Sequence, residues 1–228
     1  MRIHALHSWD VTPTEAVALQ RDLASRVDVR TPLTHAELVA GADVSYTRYS
    51  NLFYASVVVI RVADGVIVET QGAVREVTFP YVPGLLSFRE APVLLDAFAK
   101  VLAEPDAVML DGQGLAHPRR LGLACHVGLW LERPCLGCAK SLLVGKYQEP
   151  GKMPGALSPM VVGGEVVGNA LRTKVRAKPV FVSAGHRMDL PSAVRLVLAT
   201  CCGYRLPEPT RQAHHYVNAL RRRGQGAP

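Results

Sequence analysis

Leu52-Phe-Tyr-Ala-Ser-Val-Val-Val-Ile-Arg-Val62, then Asp64-Gly65, then Val66-Ile-Val-Glu-Thr-Gln-Gly-Ala-Val-Arg-Glu-Val77 is the stretch that decides the fold. Both arms are rich in β-branched residues, and an Asp-Gly pair between two such runs is a strong hairpin signal. Immediately upstream, Leu38, Ala40, Ala42 and Val44 alternate with Val39, Gly41, Asp43 and Ser45. That period of two predicts another strand, with Asp43 turned away from its most apolar face. A polar turn over 46–51 joins it to Leu52, so three consecutive strands form an antiparallel meander. Before them, residues 13–28 carry Ala16, Val17, Leu19, Leu23 and Val27 roughly on one helical face, with Thr12 or Thr14 as cap and a Pro-containing connector over 30–34.

Downstream of the meander lies Phe79-Pro-Tyr-Val-Pro-Gly-Leu-Leu-Ser-Phe-Arg-Glu90. Pro80 and Pro83 stiffen the backbone on either side of Tyr81, which either sits at a loop tip or is half buried in a strand-to-helix connection. Ser87-x-x-Glu90 matches a capping box for a helix to about Ala103, with Val93, Leu94, Ala97, Phe98, Val101 and Leu102 inward and Pro92 blurring its start. A short buried strand over 106–110 ends at Asp111-Gly112, where α/β sheets place ligand groups; the alternative is an acid capping a helix over 120–132. A strand over 134–140 ends at Lys140, and residues 161–167 read as a hairpin. Arg172, Lys174, Arg176 and Lys178 recur every second residue, which puts four cations on one face of a strand over 171–182, either solvated or suited to phosphates. Helices over 191–202 and 208–222 follow, the last carrying His214 and His215, and the basic tail 221–228 is expected to be a flexible end.

The chain has 228 residues, 49% of them hydrophobic and 20% charged, the balance of a globular domain, and one domain is expected over its whole length. No apolar run is long enough to cross a bilayer, and no basic-apolar-small succession marks a secretion signal. The net charge of +7, from 26 basic and 19 acidic residues, favours a polyanionic partner, but weakly. Five cysteines, an odd number, suit a reducing, cytoplasmic setting; Cys135-x-x-Cys138 lacks the second pair a zinc site needs, so all five read as small core residues.

The element order is helix, three antiparallel strands, then alternating helices and strands: an α/β arrangement similar to the ribonuclease-H-like mixed sheet, antiparallel strands first and parallel ones after. Nucleases of that type place carboxylates in the first strand, near the first long helix and at the end of the fourth strand. Asp43, Glu90 and Asp111 fall at those three places. Three acids converging on one spot repel one another unless a cation is present, and oxygen ligands suit Mg²⁺ or Mn²⁺.

Four segments carry a closer resemblance: Val39-Ala-Gly-Ala-Asp43-Val-Ser-Tyr46, Pro80-Tyr81-Val-Pro83-Gly84-Leu-Leu-Ser-Phe-Arg89-Glu90, Asp111-Gly-Gln-Gly-Leu-Ala-His117-Pro-Arg119-Arg120 and Gly137-Cys-Ala-Lys140-Ser. Together they resemble the endonuclease V family over nearly the whole chain. The proline-flanked tyrosine and the histidine-proline-arginine-arginine segment are specific in combination. Other ribonuclease-H-like nucleases have the acids without these loops.

The resemblance implies a DNA repair endonuclease, expected to act as a monomer on DNA containing deoxyinosine, the product of adenine deamination. It would hydrolyse the second phosphodiester 3′ to the lesion and leave 3′-hydroxyl and 5′-phosphate ends. Asp43, Glu90 and Asp111 would hold the metal and orient water, His214 would handle a proton nearby, and Lys140 would contact the phosphate. Tyr81 would fill the gap left by a displaced base, offsetting part of the few kcal/mol that extrusion costs. The flipped base would sit among Gly84, Leu86, Gly112 and His117, where backbone groups distinguish the carbonyl and ring N–H of hypoxanthine from the amino group and bare nitrogen of adenine. Two alternatives stay open: cleavage of inosine-containing RNA, and a nucleic-acid-binding module without catalysis.

Overall fold

The computed structural model describes residues 1–224. Its strands are β1 (Leu38–Tyr46), β2 (Leu52–Arg61), β3 (Ile67–Glu76), β4 (Ala107–Leu110), β5 (Cys135–Ala139), β6 (Leu157–Val162), β7 (Glu165–Leu171) and β8 (Val180–Ala184). Its helices are α1 (Pro13–Ala24), α2 (Leu86–Phe98), α3 (Leu123–Leu131), α4 (Leu190–Ala199) and α5 (Glu208–Gly224). All eight strands form one mixed sheet in the order β3-β2-β1-β4-β5-β8-β7-β6. The meander β1-β2-β3 is antiparallel, β1-β4-β5 are parallel, and β5-β8-β7-β6 return to antiparallel pairing. This is the ribonuclease-H-like order expected. At the decisive hairpin, Gly65 takes φ +71°, in the left-handed region that glycine tolerates, and the Arg61 N–H donates to Val66 O at 2.9 Å.

The strand period distributes side chains to two helical layers. Phe53, Ala55, Val57 and Val59 of β2 join Ala40 and Ala42 of β1 and pack against Phe88, Leu94 and Phe98 of α2. The alternate residues of β2, Val58 and Ile60, pack on Ala213 of α5. On β1 the alternate positions are Gly41 and Asp43, so both face α5, and Asp43 is turned away from the apolar layer as the pattern predicts. Gly41 is what lets α5 approach: a Cβ there would lie 2.0 Å from the Pro209 carbonyl carbon and 2.1 Å from its oxygen. Ser56 Oγ fastens the helix further by donating to Ala213 O at 2.8 Å.

Several boundaries differ from the sequence reading, each for a local reason. Helix α1 ends at Ala24; its cap is Thr12, which forms a capping box with Glu15. The expected Ser87–Glu90 capping box is absent from α2, because the helix already starts at Leu86 with Leu85 as its N-cap; Ser87 lies inside the first turn and its Oγ meets His126. That helix runs through Pro92 and ends at Phe98. The Glu69 carboxylate then takes the N–H groups of Leu102 and Ala103, which turns Leu102 outward to 87% exposure rather than inward. Arg120 adopts φ +57°, so α3 begins at Leu123 and not at 120.

The expected single strand over 171–182 is interrupted: residues 172–179 are a loop between β7, which ends at Leu171, and β8, which begins at Val180. Arg172 is buried there, paired with Glu149 and donating to Ala177 O, and Arg176 takes φ +60°. The four cations therefore share no strand face; Lys174, Arg176 and Lys178 stay exposed on the loop. Helix α4 starts one residue earlier than expected, capped by the Asp189 side chain, and ends at Ala199. Helix α5 continues through Gly224, so residues 221–224 of the expected tail are helical, and 225–228 lie outside the described residues. Cys125, Cys135 and Cys138 are core residues, whereas Cys201 is half-buried and Cys202 exposed, contrary to the reading of all five as core. Among the described residues no helix is long and apolar enough to cross a membrane.

Candidate active site

Two acids come together through strand register. The parallel pairing of β1 with β4 matches Ala42 with Leu110, so the next residues, Asp43 and Asp111, stand side by side. The Asp111 N–H donates to Ala42 O at 3.1 Å, which continues that register by one residue. Adjacent strands lie about 4.8 Å apart, close enough for two carboxylates on one face to repel.

Two basic side chains face these acids. Lys140, the residue after β5, donates from Nζ to Asp111 Oδ2. His214 of α5 lies with Nδ1 2.7 Å from Asp43 Oδ2. Asn218, one turn further along, braces that histidine: its Nδ2 donates to His214 O at 2.8 Å, while its Oδ1 accepts from Ser45 Oγ at 2.9 Å. Among the described residues, Asp43, Asp111 and His214 form a group whose ligand-type atoms all lie within 4.8 Å of one another.

Glu90, on α2, stands outside that trio but feels it. Burial, then the charges of Asp43 and Asp111, push its carboxyl up to about 8. Burial and Asp111 likewise raise Asp43, against the opposing pull of Lys140 and His214. Three carboxyl groups thus meet where burial and mutual repulsion disfavour the charged forms of Asp43 and Glu90. A divalent cation would relieve that repulsion, and two carboxylates with one imidazole form a donor set such an ion accepts.

Next to the acids opens a cavity of about 390 Å³, lined by Asp111 and Lys140 on one side and by Tyr81, Gly84, Leu86, Gly112 and His117 on others. The volume suits a small-molecule-sized group such as a base. Tyr81 is 67% exposed beside it, so the rigid loop presents the ring rather than half-burying it. The Gly84 carbonyl anchors the loop from beneath, accepting from Gln20 Nε2 at 3.0 Å, Arg119 Nη2 at 2.7 Å and His117 Nε2 at 3.1 Å. A carbonyl only accepts, so His117 carries its proton on Nε2, and its Nδ1 accepts the Arg119 N–H at 3.2 Å. Burial and the Arg119 charge push His117 down to about 4, which keeps it neutral. His117 thus lines the cavity with its ring, while its Nε2 holds the loop at Gly84 and its Nδ1 holds the backbone of Arg119. Gly84 has φ +79°, and a Cβ there would meet Arg119 Nη2 at 2.8 Å.

The structure thus brings Asp43, Asp111, His214 and Lys140 together, sets Glu90 within electrostatic range, and gathers Tyr81, Gly84, Leu86, Gly112 and His117 round the adjoining cavity. Ser87, Gln113 and Ser141 also line the cavity, and neither they nor Asn218 stand out as site residues in the sequence. Gln113 and Ser141 lie inside the quoted motifs, and Ser87 has the spacing of a cap; nothing local marks Asn218.

An eight-stranded ribonuclease-H-like sheet with acids side by side in β1 and just past the parallel β4, one meeting a histidine and the other a lysine, defines a phosphodiester-cleaving nuclease. The chain belongs to the endonuclease V family: the family model described as Endonuclease V matches residues 21–215. Endonuclease V of Dehalococcoides mccartyi is 48% identical over 214 residues, covering 94% of this chain and 96% of the relative. The crystal structure of endonuclease V from Streptomyces avermitilis is 40% identical and superposes with TM-score 0.89, covering 99% of this chain and 98% of that one. Endonuclease V of Ciona intestinalis, solved with a 24mer DNA containing an inosine followed by a ribo-adenosine, is 28% identical with TM-score 0.79, covering 92% of this chain and 98% of that one.

Proposed function

We propose that the chain acts as one catalytic unit that finds deoxyinosine in DNA and hydrolyses the second phosphodiester 3′ to it. The observation that carries this reading is the cavity beside Asp111 and Lys140, with the exposed ring of Tyr81 at its edge. A displaced base occupies the cavity, Tyr81 stacks where it was, and a neighbouring linkage then lies at the acids. A mispaired hypoxanthine costs less to extrude than a paired adenine, which favours the lesion. The inosine-containing DNA bound by the Ciona relative supports the same substrate class.

Asp43 and Asp111 are the residues that would hold Mg²⁺ or Mn²⁺, with Glu90 facing them from α2. Such an ion supplies an acidified water and neutralises charge on the phosphate. The chain's own groups do the rest. Lys140 leaves Asp111 for the phosphate. Asp43 and Glu90 orient the attacking water, and His214, held by Asp43 and Asn218, manages the proton released. Water oxygen bonds to phosphorus as the bond to the 3′ oxygen breaks, giving 3′-hydroxyl and 5′-phosphate ends with no covalent enzyme intermediate.

A second reading, cleavage of inosine-containing RNA, is favoured by the ribo-adenosine that follows inosine in the Ciona complex. One end-labelled strand carrying a single inosine, made as DNA and as RNA and incubated with Mg²⁺ or EDTA, separates the two. Mg²⁺-dependent nicking of the DNA one nucleotide beyond the lesion is expected. Cutting of the RNA alone would move the protein to the second reading.

A further inference from the structure

Behind the cavity, two histidines in series leave one hydroxyl with a fixed direction. His7 Nδ1 lies 2.7 Å from Ser8 O, and a carbonyl only accepts, so the His7 proton is on Nδ1. Burial lowers His7 below its ordinary value, so the ring is neutral and Nε2 carries a lone pair. That lone pair faces His126 Nε2 at 2.8 Å, so His126 must donate there. His126 is fully buried and pushed down to about 3, hence also neutral, and its Nδ1 is an acceptor. Its partner on that side is Ser87 Oγ at 3.0 Å, which therefore gives up its single proton to the histidine. Trp9 and Phe88 pack on the His126 ring at centroid distances of 5.2 and 5.1 Å, walling the relay with apolar surface.

Ser87 lines the cavity, and with its proton committed backwards it has only lone pairs left for whatever enters. Gln113, also on the wall, is set the same way: Nε2 donates to Ser141 O at 2.9 Å, and the buried Oε1 has no partner. We propose that Ser87, held acceptor-outward by His126 and His7, is a specificity-determining residue that selects a purine presenting a ring N–H over one presenting a bare ring nitrogen. Hypoxanthine has that N–H at N1, and adenine has a lone pair there. A ring nitrogen's lone pair set against Ser87 Oγ puts two acceptors face to face with no proton between them, and sites built to hydrogen-bond a polar group reject the analogue that lacks it. The inference rests on the reading of the cavity as the pocket for the displaced base.

The test is equilibrium binding of the full chain, in EDTA, to two duplexes that differ in one base: hypoxanthine, or unsubstituted purine with its bare N1. Ser87→Ala should weaken binding to the hypoxanthine duplex by about tenfold or more and leave the purine duplex unchanged. His7→Phe keeps an aromatic ring but frees the relay to reverse, so the preference for hypoxanthine should fall by roughly fivefold or more. Ring ¹⁵N shifts of the unmutated protein should show His126 protonated on Nε2. Equal losses on both duplexes, or His126 protonated on Nδ1, would overturn the assignment. A wild-type protein with no preference for the hypoxanthine duplex over an undamaged one would instead sink the base-pocket reading itself, whereas a preference that survives both substitutions would sink only the role of Ser87.

Discussion

Replacing Glu90 with Gln should make the metal-free protein more heat-stable in alkaline solution. The Glu90 carboxyl is raised from 4.5 to about 8 by burial and by the charges of Asp43 and Asp111. Between those values the folded chain keeps a proton that the unfolded chain has lost, so stability falls as pH rises from about 4.5 through 8 and levels off beyond. Below 4.5 both states are protonated and this contribution is fully present. Glutamine imitates the protonated acid at every pH and removes the dependence. The gap between the two values sets a ceiling of about 5 kcal/mol. Partial solvent access and relaxation of neighbouring charges reduce this to roughly 2–3 kcal/mol. For a chain of this length that is a rise of about 5–10 °C in Tm. Thermal unfolding in EDTA, followed by circular dichroism, should show Glu90→Gln and wild type nearly equal at pH 5 and separated by that amount at pH 9. The same difference at both pH values would mean that Glu90 ionises in the folded protein as it does in the unfolded chain, and the upward push by burial and the neighbouring acids would be wrong.

Gly41→Ala should destabilise the fold by several kcal/mol, because its Cβ would lie 2.0 Å from the backbone of Pro209 and must push α5 from the sheet; denaturant unfolding measures the loss, and an unchanged midpoint would refute the close approach. Tyr81→Ala should leave Tm unchanged, since the ring is 67% exposed. It should nevertheless weaken binding to inosine DNA roughly tenfold or more than it weakens binding to undamaged DNA; equal losses in a gel-shift titration would sink the stacking role. Changing Lys174 and Arg176 together to Ala should weaken binding to damaged and undamaged DNA alike and reduce the salt slope by about 0.9 for each phosphate no longer neutralised; an unchanged slope would mean that loop is only solvated.

The parts of the fold legible in sequence are those set by near neighbours. Asp64-Gly65 between β-branched runs marks the hairpin, and the alternation over 38–44 alone puts Asp43 opposite the apolar layer. Asp111 is equally plain, an acid at the end of a buried strand before a glycine. What closes the site is not local. His214 meets Asp43 across 171 residues because α5 lies against Gly41, and nothing near His214 in the chain announces it. Lys140 reaches Asp111 only because β5 pairs with β4. Where the local reading misleads, a tertiary partner has taken over. Arg172 obeys a strand period, yet burial against Glu149 and the Ala177 carbonyl folds its segment into a loop. Ser87 has the spacing of a helix cap, yet His126 claims its hydroxyl. Leu102 follows the helical face, yet Glu69 ends the turn around it and leaves it outside.

We propose that Asp43 of β1 and Asp111, just past β4, cut DNA beside inosine. The proposal is tested most directly by Asp111→Asn beside wild type, on an end-labelled duplex with one deoxyinosine and Mg²⁺. The wild type should nick one nucleotide beyond the lesion, and the variant should still retard the duplex in a gel but leave it whole. Nicking by Asp111→Asn at the wild-type rate and position would contradict the proposal.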